Sequence, residues 1–170
     1  KAALKEIEPE IADQYQAAIL IKQQGRASDP AGIGIALAEK ALAKGASHLQ
    51  TKVQEINPDQ GEGCRLVTDQ GDYRAEKIVL AAGVWSCQLL TRFGIKLPLE
   101  AERGYHLVLR NPGININNSV MDAEQKYVAS LMKAGVRVAG TAEFAGIDAS
   151  PNYARAHRFA QQAKKLFPGL

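Results

Sequence analysis

With two cysteines, three histidines and one tryptophan in 170 residues, the sequence is poor in the side chains that several chemistries require. Cys64 and Cys87 lie far apart and form no C-x-x-C pair, which excludes a redox dithiol and a disulfide framework. They read as reduced thiols, the state expected in the cytoplasm. His48, His106 and His157 share no ligand spacing with one another or with the cysteines, so no metal site is expected. No sign of charge dominates either: 21 Lys and Arg are interleaved with 18 Asp and Glu, for a net charge of +3. Neither a basic stripe for nucleic acid nor a polybasic membrane patch is present. The longest apolar tract, residues 78–84, is far below the run of about 18 apolar residues that a spanning helix needs. A dinucleotide fingerprint is also incomplete. Gly32-Ile33-Gly34 precedes a helical run, but Leu37 stands where the third glycine of G-x-G-x-x-G would fall, and Asp29-Pro30 separates the pair from any strand. These glycines read instead as sites of close helix packing.

What remains is an ordinary globular balance, 46% hydrophobic and 23% charged. Residues 1–16 read as polar helix or loop broken by Pro9, and residues 17–22 as a short strand. Asp29 followed by Pro30 is a helix start, because a carboxylate can cap free N–H groups and proline suits the first helical position. Ile33, Leu37, Ala41 and Leu42 carry that helix to about Lys44, with Gly45 placed to end it. Strands over 47–56, 64–68 and 73–82, joined by turns at 57–63 and 69–72, form an antiparallel meander. The third strand ends in Ile78, Val79, Leu80, Ala81 and Ala82, apolar at every position as in a strand buried on both faces. Ser86 is expected to cap a short helix over 87–93 that stops at Gly94. Beyond Pro98, a strand over 102–109, a hairpin over 127–132 and 136–144, and an amphipathic helix over 151–166 complete a mixed α/β chain. Part of a nucleotide-binding layer is thus followed by a separate antiparallel sheet. The chain opens at Lys1 and stops at Leu170 in ways that read as an internal piece of a longer protein, although trimming would look the same.

Few segments invite chemistry. The run from Lys77 to Ser86 leads an apolar strand into small residues and then a helix. Cofactors bind beyond such strand ends, where small residues admit close approach; a plain tight turn with Trp85 in the core explains the run equally well. In the strand 102–109, Arg103 and Tyr105 share one face and Gly104 and His106 the other. That strand could line a pocket for a small polar ligand or be half exposed with ordinary surface charges. Tyr127 could bond a carboxylate or sit in a core. Glu143, Lys52, Arg65 and the basic run over 155–165 read as solvated charges.

Four segments, TKVQEI, GCRLVTDQGDYRAEKIVLAAGVWS, GIKLPLEAERGYHLVL and GVRVAGTAEFAG, occur in the order found in a known family. Over nearly its whole length the chain resembles the FAD-dependent oxidoreductases related to D-amino-acid dehydrogenase, glycine oxidase and sarcosine oxidase, with AEKIVLAAGVWS the most specific stretch. The resemblance implies a partial FAD-binding layer with a β-meander and an antiparallel substrate-domain sheet. It places residues 1–27 in the substrate domain, 28–95 in the FAD-binding domain, 96–150 in the substrate-domain sheet and 151–170 in a substrate-domain helix. It further implies FAD contacts from Lys52, Val53, Ala81, Ala82, Gly83 and Trp85, and substrate contacts from Tyr105 and Tyr127. No residue of the chain is marked as a catalytic acid or base. The implied reaction oxidises a D-amino acid or related small amine to the imine by hydride transfer to flavin. The family's amino-terminal glycine fingerprint and carboxyl-terminal arginine region have no match here, so FAD binding and turnover by this chain alone are not expected. A non-catalytic small-ligand module and an unrelated nicotinamide-dependent enzyme are the competing readings. The expected partner is a small amine or amino acid. A cytoplasmic location is expected, with peripheral membrane association left open, as is oligomerisation.

Overall fold

Proline and glycine punctuate this chain, and most of its elements end where they stand. The computed structural model describes residues 1–59, 61 and 63–170; Gln60 and Glu62, within the turn expected at 57–63, lie outside the described residues. Helix α1 (Ala2–Ile7) stops two residues before Pro9, whose ring disfavours helical backbone in the residue before it. Helix α2 (Pro30–Ala43) starts as expected: the Gly32 N–H donates to Asp29 Oδ1 at 3.0 Å. A Cβ on Gly32 would lie 2.7 Å from Asp29 Oδ2, so this glycine serves the cap rather than packing between helices. The apolar spacing that marks the helix does not bury it, since Ile33, Leu37 and Leu42 are all exposed.

Two compact units divide the chain, Lys1–Leu37 with Glu102–Leu170, and Ala38–Ala101. Their boundaries lie at 37/38 and 101/102, against expected domain boundaries at 27/28 and 95/96.

The continuous unit holds the meander β1 (Val53–Pro58), β2 (Cys64–Thr68) and β3 (Gly71–Ala75), a three-stranded antiparallel sheet in that order. Strand β1 begins only at Val53, because the preceding chain is tied sideways. Asp69 Oδ1 accepts from Thr51 Oγ1 at 2.6 Å and from the Lys52 N–H at 3.0 Å, and the Asp69 N–H returns to the Lys52 carbonyl. Strand β3 stops at Ala75. The stretch 76–82, expected as a strand buried on both faces, belongs to no strand, and Val79 is 90% exposed. Its composition is that of a buried strand, but no described strand pairs with it. A single 3-10 turn, Gly83–Trp85, leads into α3 (Ser86–Leu90) and a second 3-10 turn, Thr91–Phe93, which Gly94 ends in the left-handed region at φ 69°. Ser86 does not cap α3; it lies within the helix, buried, and Trp85 takes the cap position without a side-chain bond.

The discontinuous unit is built on β4 (Glu102–Leu109), β5 (Val120–Asp122), β6 (Tyr127–Met132) and β7 (Gly135–Phe144), in the order β4-β7-β6-β5, antiparallel throughout. The three-residue β5 carries too little alternation to be read from sequence. Residues 17–22 form no strand, and Ile19 is 92% exposed. Helix α4 (Ala154–Leu166) packs Phe159, Ala163 and Leu166 against one face of the sheet, where Tyr105, Tyr127, Ala129, Val136 and Val138 meet Ile11 and Ile116 in one core. Burying each large side chain there is worth roughly 1.5–3 kcal/mol. Glu8, 2% exposed, anchors α1 to this unit: its carboxylate accepts from the Asn117 N–H, the Asn118 N–H and Asn118 Nδ2. A bulge interrupts the β4–β7 register between Tyr105, opposite Thr141, and His106, opposite Ala139. The extra residue is Gly140, where a Cβ would lie 2.4 Å from the Lys126 carbonyl oxygen and 2.5 Å from Tyr127 Cα. Only glycine fits at that approach.

Candidate functional site

Side chains alternate across a strand, so the register of the four-stranded sheet divides its residues between two faces. One face is the core just described. The other carries His106 and Val108 from β4, Arg137, Ala139 and Ala142 from β7, Val128, Ser130 and Met132 from β6, and Met121 from β5. Its apolar side chains are only partly covered; Met121 is 63% exposed. Val108, Arg137 and Ser130 form one row across three strands, and His106, Ala139 and Val128 the next. Ser130 Oγ pairs with Ser119 Oγ at 2.8 Å. The Arg137 side chain makes no hydrogen bond or ion pair among the described residues.

Tyr105 and Tyr127 both lie on the core face. Tyr127 is 1% exposed and donates to the Gln162 carbonyl at 2.8 Å, and burial pushes its phenol far above the ordinary tyrosine range. Tyr105 donates to Glu143 and accepts the Asn152 N–H at 2.7 Å. Glu143 is therefore not the solvated charge the sequence implied. Its side chain is 16% exposed and stands between Arg103 Nη1 and Arg155 Nε, each 3.7 Å away. Arg155 departs from the expected solvated run in the same way, bonding Thr141 Oγ1 at 3.3 Å, while Arg158, Lys164 and Lys165 are exposed. A second hydroxyl–carboxylate pair lies at the far edge of the sheet, where Tyr15 donates to Asp122 Oδ2 at 2.5 Å. Burial opposes the Asp122 charge, but that hydroxyl and the Gln125 and Glu124 N–H groups outweigh it and hold the carboxyl below its usual range.

In the continuous unit, the side chain of Lys52 is exposed while its backbone is fixed by Asp69, and Val53 starts β1 opposite Thr68. Ala81 and Gly83 are exposed, Ala82 is half-buried, and Trp85 is 57% exposed rather than in a core. Gly83 takes φ 55°, with no atom within 4 Å of the place a Cβ would occupy. A run of small residues without a strand partner, ending at an exposed indole, fits a large planar ligand. A concavity of about 400 Å³ between the end of β4 and α4 touches none of these residues. It is a shallow groove beside Arg110 and Lys164 that brings together no reactive groups.

Arg137 was not singled out by the sequence. The one signal was its place between Val136 and Val138, both fully buried, which turns it to the opposite face.

The sequence matches the family described as DAO, FAD dependent oxidoreductase, over residues 1–170. It is 35% identical over 167 residues to a D-amino-acid oxidase of Bradyrhizobium diazoefficiens, covering 98% of this chain and 40% of that protein. A D-amino acid dehydrogenase of Paramagnetospirillum magneticum is 36% identical over 136 residues, or 78% of this chain and 32% of that one. Among solved structures, glycine oxidase from Geobacillus kaustophilus superposes with a TM-score of 0.80 at 26% identity, covering 98% of this chain and 45% of the other. L-proline dehydrogenase from P. horikoshii shares the fold, with a TM-score of 0.75 at 20% identity over 99% of this chain and 47% of its own. The chain thus spans less than half the length of each of these four proteins. With a match across its whole length, two antiparallel sheets and a fold like that of glycine oxidase, the chain belongs to the family of FAD-dependent oxidoreductases.

Proposed function

We propose that this chain is the central part of an FAD-dependent enzyme that oxidises a D-amino acid, or a closely related small amine, at its α-carbon. The observation that carries this reading is the division of labour between the units. One presents an exposed small-residue run beside a lone indole; the other presents an open sheet face with an uncompensated cation. Family membership and the names of the relatives support it.

In this reading the continuous unit belongs to the FAD-binding domain. Lys52 and Val53 would meet FAD through backbone already fixed by Asp69, and Ala81, Ala82, Gly83 and Trp85 would lie along it. Bound FAD supplies the acceptor for the hydride of the substrate Cα–H bond, leaving an imine that water converts to the keto acid and ammonia. The discontinuous unit belongs to the substrate domain, and its open face is the substrate wall. Tyr105 and Tyr127 then act as positioning residues. Their hydroxyls bond Glu143 and Gln162 and so fix the strands that carry the wall. No acid or base is required of this chain; its contribution is orientation. No helix among the described residues is long and apolar enough to cross a membrane.

Trp85, the sole tryptophan, provides the test. Titrating the longer protein that contains this chain with FAD should quench Trp85 emission, with stoichiometric flavin retained after desalting, whereas the chain alone should retain none. A longer protein that retains no flavin contradicts the proposal.

A further inference from the structure

The four-stranded sheet is not four strands wide along its whole length. Strand β6 pairs with β7 only from Gly135 to Ala139. Beyond the Gly140 bulge, Thr141–Phe144 pair with Glu102–Tyr105 of β4 alone. A two-stranded ribbon is marginal by itself, and a bulge lets it bend, so its direction must be held by side chains. The core face of the ribbon carries Arg103, Tyr105, Thr141 and Glu143. There the Glu143 carboxylate accepts from the Tyr105 hydroxyl and lies 3.7 Å from both Arg103 Nη1 and Arg155 Nε. Those two nitrogens are buried and have no hydrogen-bond partner among the described residues. Glu143 is the one carboxylate paired with either guanidinium among the described residues. Two further bonds reach the same place. Arg155 Nη1 donates to Thr141 Oγ1 at 3.3 Å, and the Asn152 N–H donates to the Tyr105 hydroxyl at 2.7 Å. One carboxylate therefore ties both strands of the ribbon to the start of α4 and to the loop before it.

We propose that Glu143 is a positioning residue: by binding Arg103, Tyr105 and Arg155 together it fixes the direction of the ribbon beyond the bulge. The opposite face of that ribbon carries Gly104, Ala142 and Phe144, the far end of the substrate wall, so the proposal rests on the functional reading above. The charge is what the position needs. Arg103 and Arg155 are 30% and 40% exposed, and without a shared anion they become two half-buried like charges that repel. The ribbon has no third strand to resist that push, and a wall displaced by an ångström orients a substrate poorly.

The test compares three variants of the FAD-loaded longer protein. Glu143→Gln keeps the side-chain shape and removes the charge, Glu143→Asp keeps the charge, and Leu166→Val loosens the core at the other end of α4. On anaerobic mixing with D-alanine, Glu143→Gln should slow the limiting rate of flavin reduction roughly 10–100-fold, the range for a small misplacement, and change KM less. Glu143→Asp should recover part of the rate. Leu166→Val should lower the unfolding midpoint and keep the parent rate. Hydrogen exchange gives a readout independent of turnover: in Glu143→Gln the amides of 141–144 and Asn152 should exchange faster, and those of Val136 and Val138 as in the parent. Parent rate and parent exchange in Glu143→Gln overturn the inference. An equal loss of rate in Leu166→Val also overturns it, because lost stability would then account for both. A parent protein that holds flavin but is reduced by no amino acid sinks the enzyme reading; faster exchange confined to 141–144 and Asn152 would still support the clamp, and unchanged exchange would sink it as well.

Discussion

The two units of this chain solve burial differently. The discontinuous unit closes on itself: a four-stranded sheet, one amphipathic helix and the Glu8 anchor enclose eleven buried apolar residues in a continuous core. The continuous unit has a regular meander but almost no interior. Among its described residues Ile56 is the single buried apolar side chain, whereas Leu49, Val79, Trp85, Ile95 and Leu99 are exposed. Regular hydrogen bonding evidently suffices to form strands, but a stable interior needs a second layer. The surfaces that stay open are also the ones with chemical promise, the Ala81–Trp85 run in one unit and the Arg137 face in the other.

That contrast predicts a hierarchy of stability effects, readable by chemical denaturation. Phe159→Ala should be the most damaging, at about 3–5 kcal/mol, because it empties the contact between α4 and the sheet. Val79→Ala, a truncation at a 90% exposed site, should change stability by less than about 0.5 kcal/mol in the isolated chain. Equal losses from the two would erase the contrast. Next in size is Glu8→Ala, which strands two backbone N–H groups and an amide near Asn118 and should cost about 1.5–3 kcal/mol. Tyr127→Phe should be milder, about 1 kcal/mol, since it removes a single hydroxyl bond to Gln162 and keeps the ring. A substitution there that also collapses turnover without changing stability would show that Tyr127 touches substrate directly.

The smallest effect concerns pH. The folded Asp122 carboxyl titrates below its ordinary value of 3.8, so the folded form binds the proton less readily than the unfolded chain. The stability this contributes is present above the unfolded value and is lost as pH falls through the folded one. Asp122→Asn should therefore flatten the acid limb of a stability–pH curve below pH 3.8 while lowering stability near neutrality. An unaltered acid limb would show that the Tyr15–Asp122 bond carries no such linkage.

The sequence made the discontinuous unit legible because alternation and burial agree there. Strand β4 and helix α4 were readable from pattern, and β6 and β7 from the turn at Lys133-Ala134-Gly135. It misled over residues 78–82, whose all-apolar composition encodes a buried strand while no described strand pairs with it. Glu143 and Arg155 are not free solvated charges, because their partners come from different elements, which spacing alone cannot bring together. The Arg137 face required register: alternation places Arg137 opposite the valine face, but only strand pairing shows Val108 and Ser130 beside it. For the same reason Tyr105 and Tyr127 could be assigned to a substrate sheet by resemblance, but not to its covered face.

One experiment tests the proposed oxidation most directly: mixing the FAD-loaded longer protein anaerobically with D-amino acids and following the visible absorbance of its flavin. Bleaching by a D-amino acid with a short apolar side chain, with the keto acid and ammonia recovered, is the predicted result. A bound flavin that stays oxidised with every amino acid and small amine offered would contradict it.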